Sequence, residues 1–261
     1  MWTPEEISYL LQFGEPQEKL EAMRKLEEIA KECRSAANPL LAKCDDPAKK
    51  EKLKPWREFR KRIGFPLFDL VLDISKGPAG TELRDLAADI LAHLWHPSAV
   101  DRLVEDLLEN GDKLRGGQFN GIFENLGGIG NEPAARALLR LWDEGYRYEV
   151  IFPLGSCNSK VGNAFLMRQA RENPDATLRG YCILALRLEP TEENGALLLE
   201  KARSGDALES SAAIQKIGDM NMASLVPALI SIHNQSDDHM VRESIFAALR
   251  EMRLRRSGNS R

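Results

Sequence analysis

Four stretches of this 261-residue chain hold residue types whose spacing could do chemistry. The first is NLGGIGN at 125–131, where three glycines in four positions leave a backbone open enough to cradle a phosphate or to turn sharply. A dinucleotide loop needs GxGxxG directly after a strand; here the glycine spacing fails and the preceding FNGIFENL has helical spacing. Laid over AIQKIGD at 213–219, the stretch pairs Leu126 with Ile214, Ile129 with Ile217, Gly130 with Gly218 and Asn131 with Asp219. The expectation is a turn between two helices.

The second and third stretches raise metal binding. HLWH places His93 and His96 one helical turn apart with Asp101 nearby, but a third ligand is missing and His96 aligns with Asn131 as a turn residue. HNQSDDH offers His233, Asp237, Asp238 and His239, a composition that polar loops between repeats share. The acidic pairs Glu27 with Glu28 and Glu192 with Glu193 face no identifiable cleft and suit solvated helix faces. Cys157 and Cys182 have no adjacent histidine to activate a thiolate. With no triad, Walker loop or zinc-protease motif, the reading assigns no catalytic, metal or cofactor residue and favours a non-enzymatic protein.

The fourth stretch, KKEKLKPWREFRKR, interleaves Trp56 and Phe59 with basic residues, among them Lys50, Lys54, Arg57 and Lys61 as candidate contacts. Such a segment can hold phosphates and stack bases, or it can be an amphipathic capping helix with Trp56, Phe59 and Ile63 turned inward. The second is expected. Residues 43–62 carry a net +5 and 250–261 a net +4, against −10 for 63–249, so the acidic body lacks the continuous basic footprint that nucleic acid needs. Aromatic anchors for a protein partner are better supplied by WDEGYRYE, with Trp142, Tyr146 and Tyr148.

These residues must be positioned by helices. Leu83, Leu86, Ala87, Ile90, Leu91 and Leu94 recur at the offsets of one helical stripe, and Val241, Ser244, Ile245, Ala248, Leu249 and Met252 repeat them. Leu178, Tyr181, Cys182, Ala185 and Leu186 do the same over five positions. Anchors at Leu91, Leu126, Leu154, Leu186, Ile214 and Leu249 then mark six units of about 30 residues, each a helical hairpin. Pro97, Pro133 and Pro190 open second helices, and Gly111, Gly145 and Gly205 close them.

On LRGYCILALRLEPTEENGALLLEKA, SSAAIQKIGDMNMASLVPALI and LGGIGNEPAARALLRL, the chain resembles HEAT-like repeat proteins, most closely the short bacterial type of phycobilin lyase subunits. The resemblance spans residues 81–254. It implies an all-α fold, a right-handed solenoid (an armadillo-like superhelix) with first helices on its convex side and second helices on its concave side. Second-helix residues Asp101, Glu105, Arg136, Arg140, Asn163, Arg168 and Lys201 then form a ladder of mixed sign that suits a protein or peptide.

Residues 1–80 read as a helical cap on the open end of the stack, with Thr3 and Glu6 fitting a capping box. Residues 255–261 read as a disordered tail. The opening residues lack a basic leader, and no run approaches a membrane span, so a cytoplasmic location is expected. The functional expectation is a protein-interaction scaffold without a cofactor. A subunit that handles a bilin or other small molecule, and nucleic-acid binding through 43–62, are the alternatives. Nothing in the sequence fixes the oligomeric state.

Overall fold

The computed structural model describes residues 3–35, 67–78, 81–111, 117–157 and 159–258. Among them every regular element is a helix, and none is long and apolar enough to cross a membrane. The basic residues Lys50, Lys54, Arg57 and Lys61 lie outside the described residues. The chain divides into two compact units, Met1–Tyr146 with Ser156–Asn158, and Arg147–Gly155 with Ser159–Arg261.

The first unit begins with α1 (Pro4–Phe13) and α2 (Pro16–Ser35). The capping box is present as expected: the Glu6 N–H donates to Thr3 Oγ1 at 3.2 Å and the Thr3 N–H to Glu6 Oε2 at 2.7 Å. Helix α3 covers 67–75. Then come α4 (Glu82–His93), a 3-10 turn (Pro97–Ala99), α5 (Val100–Asn110), α6 (Gly117–Ile129) and α7 (Glu132–Asp143). Helix α2 packs on α1 and α4, and α4 through α7 pack on one another. Their shared interior holds Ile90, Leu91, Leu107, Leu126, Leu138 and Leu141, all fully buried.

The second unit contains α8 (Arg147–Ser156), α9 (Lys160–Glu172), α10 (Ala176–Ala185), α11 (Glu192–Ala202) and α12 (Ala207–Asp219). A 3-10 turn (Ala223–Leu225), α13 (Val226–Gln235) and α14 (His239–Gly258) follow. Helix α10 packs on α12 and α12 on α14, so alternate helices form a row; α9, α11 and α13 each pack on the row helix that follows. Helix α14 continues to Gly258, past residue 254 where a disordered tail was expected.

The turns correct the register of the sequence alignment. The chain turns left-handed at Trp95 (φ 54°), Gly130 (φ 63°) and Asn221 (φ 51°). Four residues before each, the backbone carbonyl of a buried residue closes the helix: the His96 N–H reaches Leu91 O at 2.8 Å, Gly130 N–H reaches Leu126 O at 3.1 Å, and Met222 N–H reaches Ile217 O at 3.2 Å. The equivalent of Leu91 and Leu126 is therefore Ile217, one helical turn after Ile214, and the equivalent of Gly130 is Asn221. Gly218 lies inside α12, so matching glycine to glycine misaligned these units.

NLGGIGN is accordingly less of a turn than expected. Helix α6 runs through Ile129, Gly130 alone takes the left-handed conformation, and Asn131 caps α7 by accepting the Ala134 N–H at 2.9 Å. Gly128 sits in the helix against the indole of Trp95, where a methyl group would lie 2.5 Å from the ring. Gly121 in the same helix has open space beside it. Gly128→Ala is expected to destabilise the protein by about 1–3 kcal/mol through overpacking. Gly121→Ala is expected to stabilise it by about 0.5–1 kcal/mol through helix propensity. Urea denaturation of the two variants checks both signs.

Candidate protein-interaction site

Apart from Phe246 on α14, the exposed aromatic rings of the second unit stand together. Tyr148 and Phe152 lie one helical turn apart on α8, and each ring centroid is 6.0 Å from that of Tyr181 on α10. All three remain exposed, at 48%, 48% and 40%. The Tyr148 hydroxyl donates to Asp175 Oδ2 at 3.0 Å while Asp175 Oδ1 caps α10 by accepting the Thr177 and Leu178 N–H groups. The tyrosine hydrogen bond, followed by the capping bonds, holds the Asp175 carboxyl below its ordinary value; the same bond raises the Tyr148 hydroxyl and keeps it protonated. The ring is therefore fixed by a charged anchor while its face stays open, an arrangement with a low entropic cost on binding.

Beside Asp175 a polar groove of about 860 Å³ opens where the C-terminal ends of α9 and α11 meet the N-terminal ends of α10 and α12. Its rim carries Arg171, Glu172, Glu200 and Arg203. At its floor Glu209, 1% exposed, accepts from the Arg179 guanidinium at 2.7 Å and lies 3.2 Å from the Lys201 ammonium. Arg179 also donates to Asn173 O at 2.8 Å and Pro174 O at 3.2 Å, tying the loop before α10 to the start of α12. Burial pushes the Glu209 carboxyl up, but Arg179 and Lys201 more than offset that and hold it below its ordinary value.

Of the candidate residues read from the sequence, Tyr148 joins the ring cluster and Lys201 lines the groove, buried against Glu209. Glu105, Arg136 and Arg140 are exposed in the first unit, with Arg136 paired to Glu132 at 3.1 Å. Tyr146 is half-buried and packs on Phe119 and Phe123, which makes it a structural residue of that unit; Trp142 is also half-buried. In the second unit Asn163 accepts the Arg187 N–H at 3.1 Å, and Arg168 lies over the Phe165 ring at 5.5 Å.

The sequence reading missed Phe152, Tyr181, Arg171, Arg179, Arg203 and Glu209. Tyr181 falls on the apolar stripe of α10, which concealed it as a core residue; the stripe is buried at Leu178 and Cys182 but open at Tyr181. The 30-residue separation of Arg179 and Glu209, close to the repeat length, was the signal that could have paired them.

Other chemistry-bearing residues serve the fold. His96 Nδ1 accepts the Ser98 N–H at 3.3 Å and its ring stacks on Phe68; His233 packs edge-on against Phe246. Asp238 caps α14 by accepting the Val241 N–H at 3.1 Å. The Cys157 thiol faces Leu126 O at 3.8 Å, and burial pushes the Cys182 thiol up to about 12. Among the described residues no three histidine, cysteine or acidic side chains converge as metal ligands.

No protein-family model matches the chain, and no curated protein and no solved structure shows significant similarity to it. The functional reading accordingly rests on the geometry.

Glu209→Gln is expected to cost about 3 kcal/mol or more at neutral pH, because it leaves Arg179 and Lys201 facing each other without a buried countercharge. Since the folded-state carboxyl lies below its ordinary value of 4.5, its stabilisation is present above that value and is lost as pH falls through the folded-state value. Urea midpoints measured from about pH 7 down to about pH 3 should therefore fall less steeply in the variant than in the native protein.

Proposed function

We propose that this chain is a non-enzymatic interaction protein that docks another protein on the surface formed by α8, α10 and the groove beside them. The observation that carries the reading is the exposed contact of Tyr148 and Phe152 with Tyr181. Tyrosine and other aromatic side chains are the usual energetic anchors of protein interfaces, since they bury a large area with few rotatable bonds. The adjoining groove adds hydrogen-bonding and charged groups of both signs, as the rim of such an interface requires.

In this reading the alternating helices belong to a HEAT-like α-solenoid in which the row α8, α10, α12 and α14 supplies the first helices of successive repeats. Three further features support that assignment. The left-handed turns at Trp95, Gly130 and Asn221 recur at equivalent places, the row helices contact one another at intervals near 30 residues, and between successive row helices lies one helix that packs on the row helix after it.

The test uses the chain immobilised to retain proteins from an extract of the cells that make it, with quantitative mass spectrometry of what remains bound. Phe152→Ala combined with Tyr181→Ala is expected to reduce retention of the specific partner about tenfold, since the two rings are anchors, while leaving melting close to native. Arg136→Ala, in the first unit, should leave retention unchanged. Equal retention by the native chain and the double variant would contradict the proposal.

A further inference from the structure

We infer that α14 binds α14 of a second copy of this chain, antiparallel, with Ala247 on the two-fold axis and Glu243 of each copy against Arg250 of the other. This contact is independent of the aromatic surface on α8 and α10. Helix α14 packs on α12 and α13, and one stripe of it, Val241, Ile245, Ala248 and Met252, is buried. The helical repeat puts Met240, Glu243, Ala247, Arg250 and Leu254 in a second stripe on the opposite side, and all five are exposed. A solvated helix face is ordinarily polar throughout. This one begins and ends on large apolar residues, Met240 and Leu254, 46% and 58% exposed.

The order of side chains along the open stripe selects the occupant. Ala247, the smallest, stands at its centre, where two crossing helices approach most closely. Glu243 lies one turn to one side and Arg250 one turn to the other, with Met240 and Leu254 one turn further out. A two-fold axis through Ala247 reverses the stripe, so each Glu243 meets Arg250 of the second copy and each Met240 meets Leu254 of the second copy. A parallel copy would instead set Glu243 on Glu243 and Arg250 on Arg250, like charges that oppose it. Both charges are available: Glu243 has only His239 near it, at 3.8 Å, and Arg250 forms no ion pair among the described residues. Glu251, the other acid on this side, is taken by Arg255 at 3.0 Å. Phe246, 56% exposed, lies one residue from the axis and on the same edge in both copies, so the two rings close over that edge of the contact.

One helix pair buries less than the roughly 1,600 Å² of a standard interface, so the dimer is a weak one. Sedimentation equilibrium of the full chain up to about 300 µM is expected to show a monomer–dimer equilibrium at about 150 mM salt, which screens the repulsion between two copies of net charge −4. Glu243→Arg and Arg250→Glu, each alone, set like charges against each other on both sides of the axis. Each is expected to weaken the dimer at least tenfold while circular dichroism stays native, because both positions are exposed. A parallel dimer would be indifferent to either change. An equimolar mixture of the two variants regains both opposite-charge contacts and is expected to associate as strongly as the native chain. A native chain that stays monomeric, a dimer that either reversal leaves intact, or folded variants that fail to associate when mixed would overturn the inference.

Discussion

The close approach of successive row helices in the second unit is the constraint from which its other features follow. It is set by small residues about 30 positions apart. Gly155 lies against the backbone of Ala185, Gly180 against that of Leu208, and Gly218 against the Cβ of Ala248. A methyl group on Gly180 would stand 3.3 Å from Leu208 O, and one on Gly218 would stand 2.9 Å from Ala248 Cβ. Each glycine lowers helix propensity by about 1 kcal/mol relative to alanine, and the packing of buried neighbours such as Ile183, Ile214 and Ile245 offsets that cost.

Helices this close bring their ends within reach of one another, and both ends are used. At the C-terminal ends a cation from further along the chain donates to a carbonyl that its own helix leaves open. Arg187 Nε donates to Gly155 O at 2.9 Å, Lys216 Nζ to Leu184 O at 2.9 Å, and Arg255 to Asp219 O. Burial pushes the Lys216 ammonium down from its ordinary value, so this cap is made by a partly desolvated charge. At the N-terminal ends Tyr148 reaches Asp175 and Arg179 reaches Glu209. The interaction surface proposed above is the row of N-terminal ends: the rings stand side by side because α8 and α10 do, and the groove opens because α10 and α12 keep the same spacing.

Helices were legible in the sequence because an apolar stripe of period 3.6 requires no knowledge of the neighbours. The capping box at Thr3 and the buried anchors Leu91, Leu126, Leu154 and Leu186 follow from local rules. The register of one unit did not, because Gly218 serves a helix contact and Gly130 a left-handed turn, and a sequence match cannot tell these two uses of glycine apart. The site was legible at Tyr148 and Lys201 only. Tyr181 obeys the stripe yet faces outward, and the pairing of Arg179 with Glu209 depends on a contact made across about one repeat, which no local pattern encodes.

The claim that these small-residue contacts set the spacing is tested most directly by a double-mutant cycle on Gly218 and Ala248, read by urea denaturation. Gly218→Ala alone should destabilise by overpacking and Ala248→Gly alone by lost helix propensity. The double variant moves the methyl from one helix to the other and restores the fit. It is expected to be more stable than the sum of the single changes predicts, by about 1 kcal/mol or more. Additivity within about 0.3 kcal/mol would contradict the account, since it would mean that the two positions do not bear on one another.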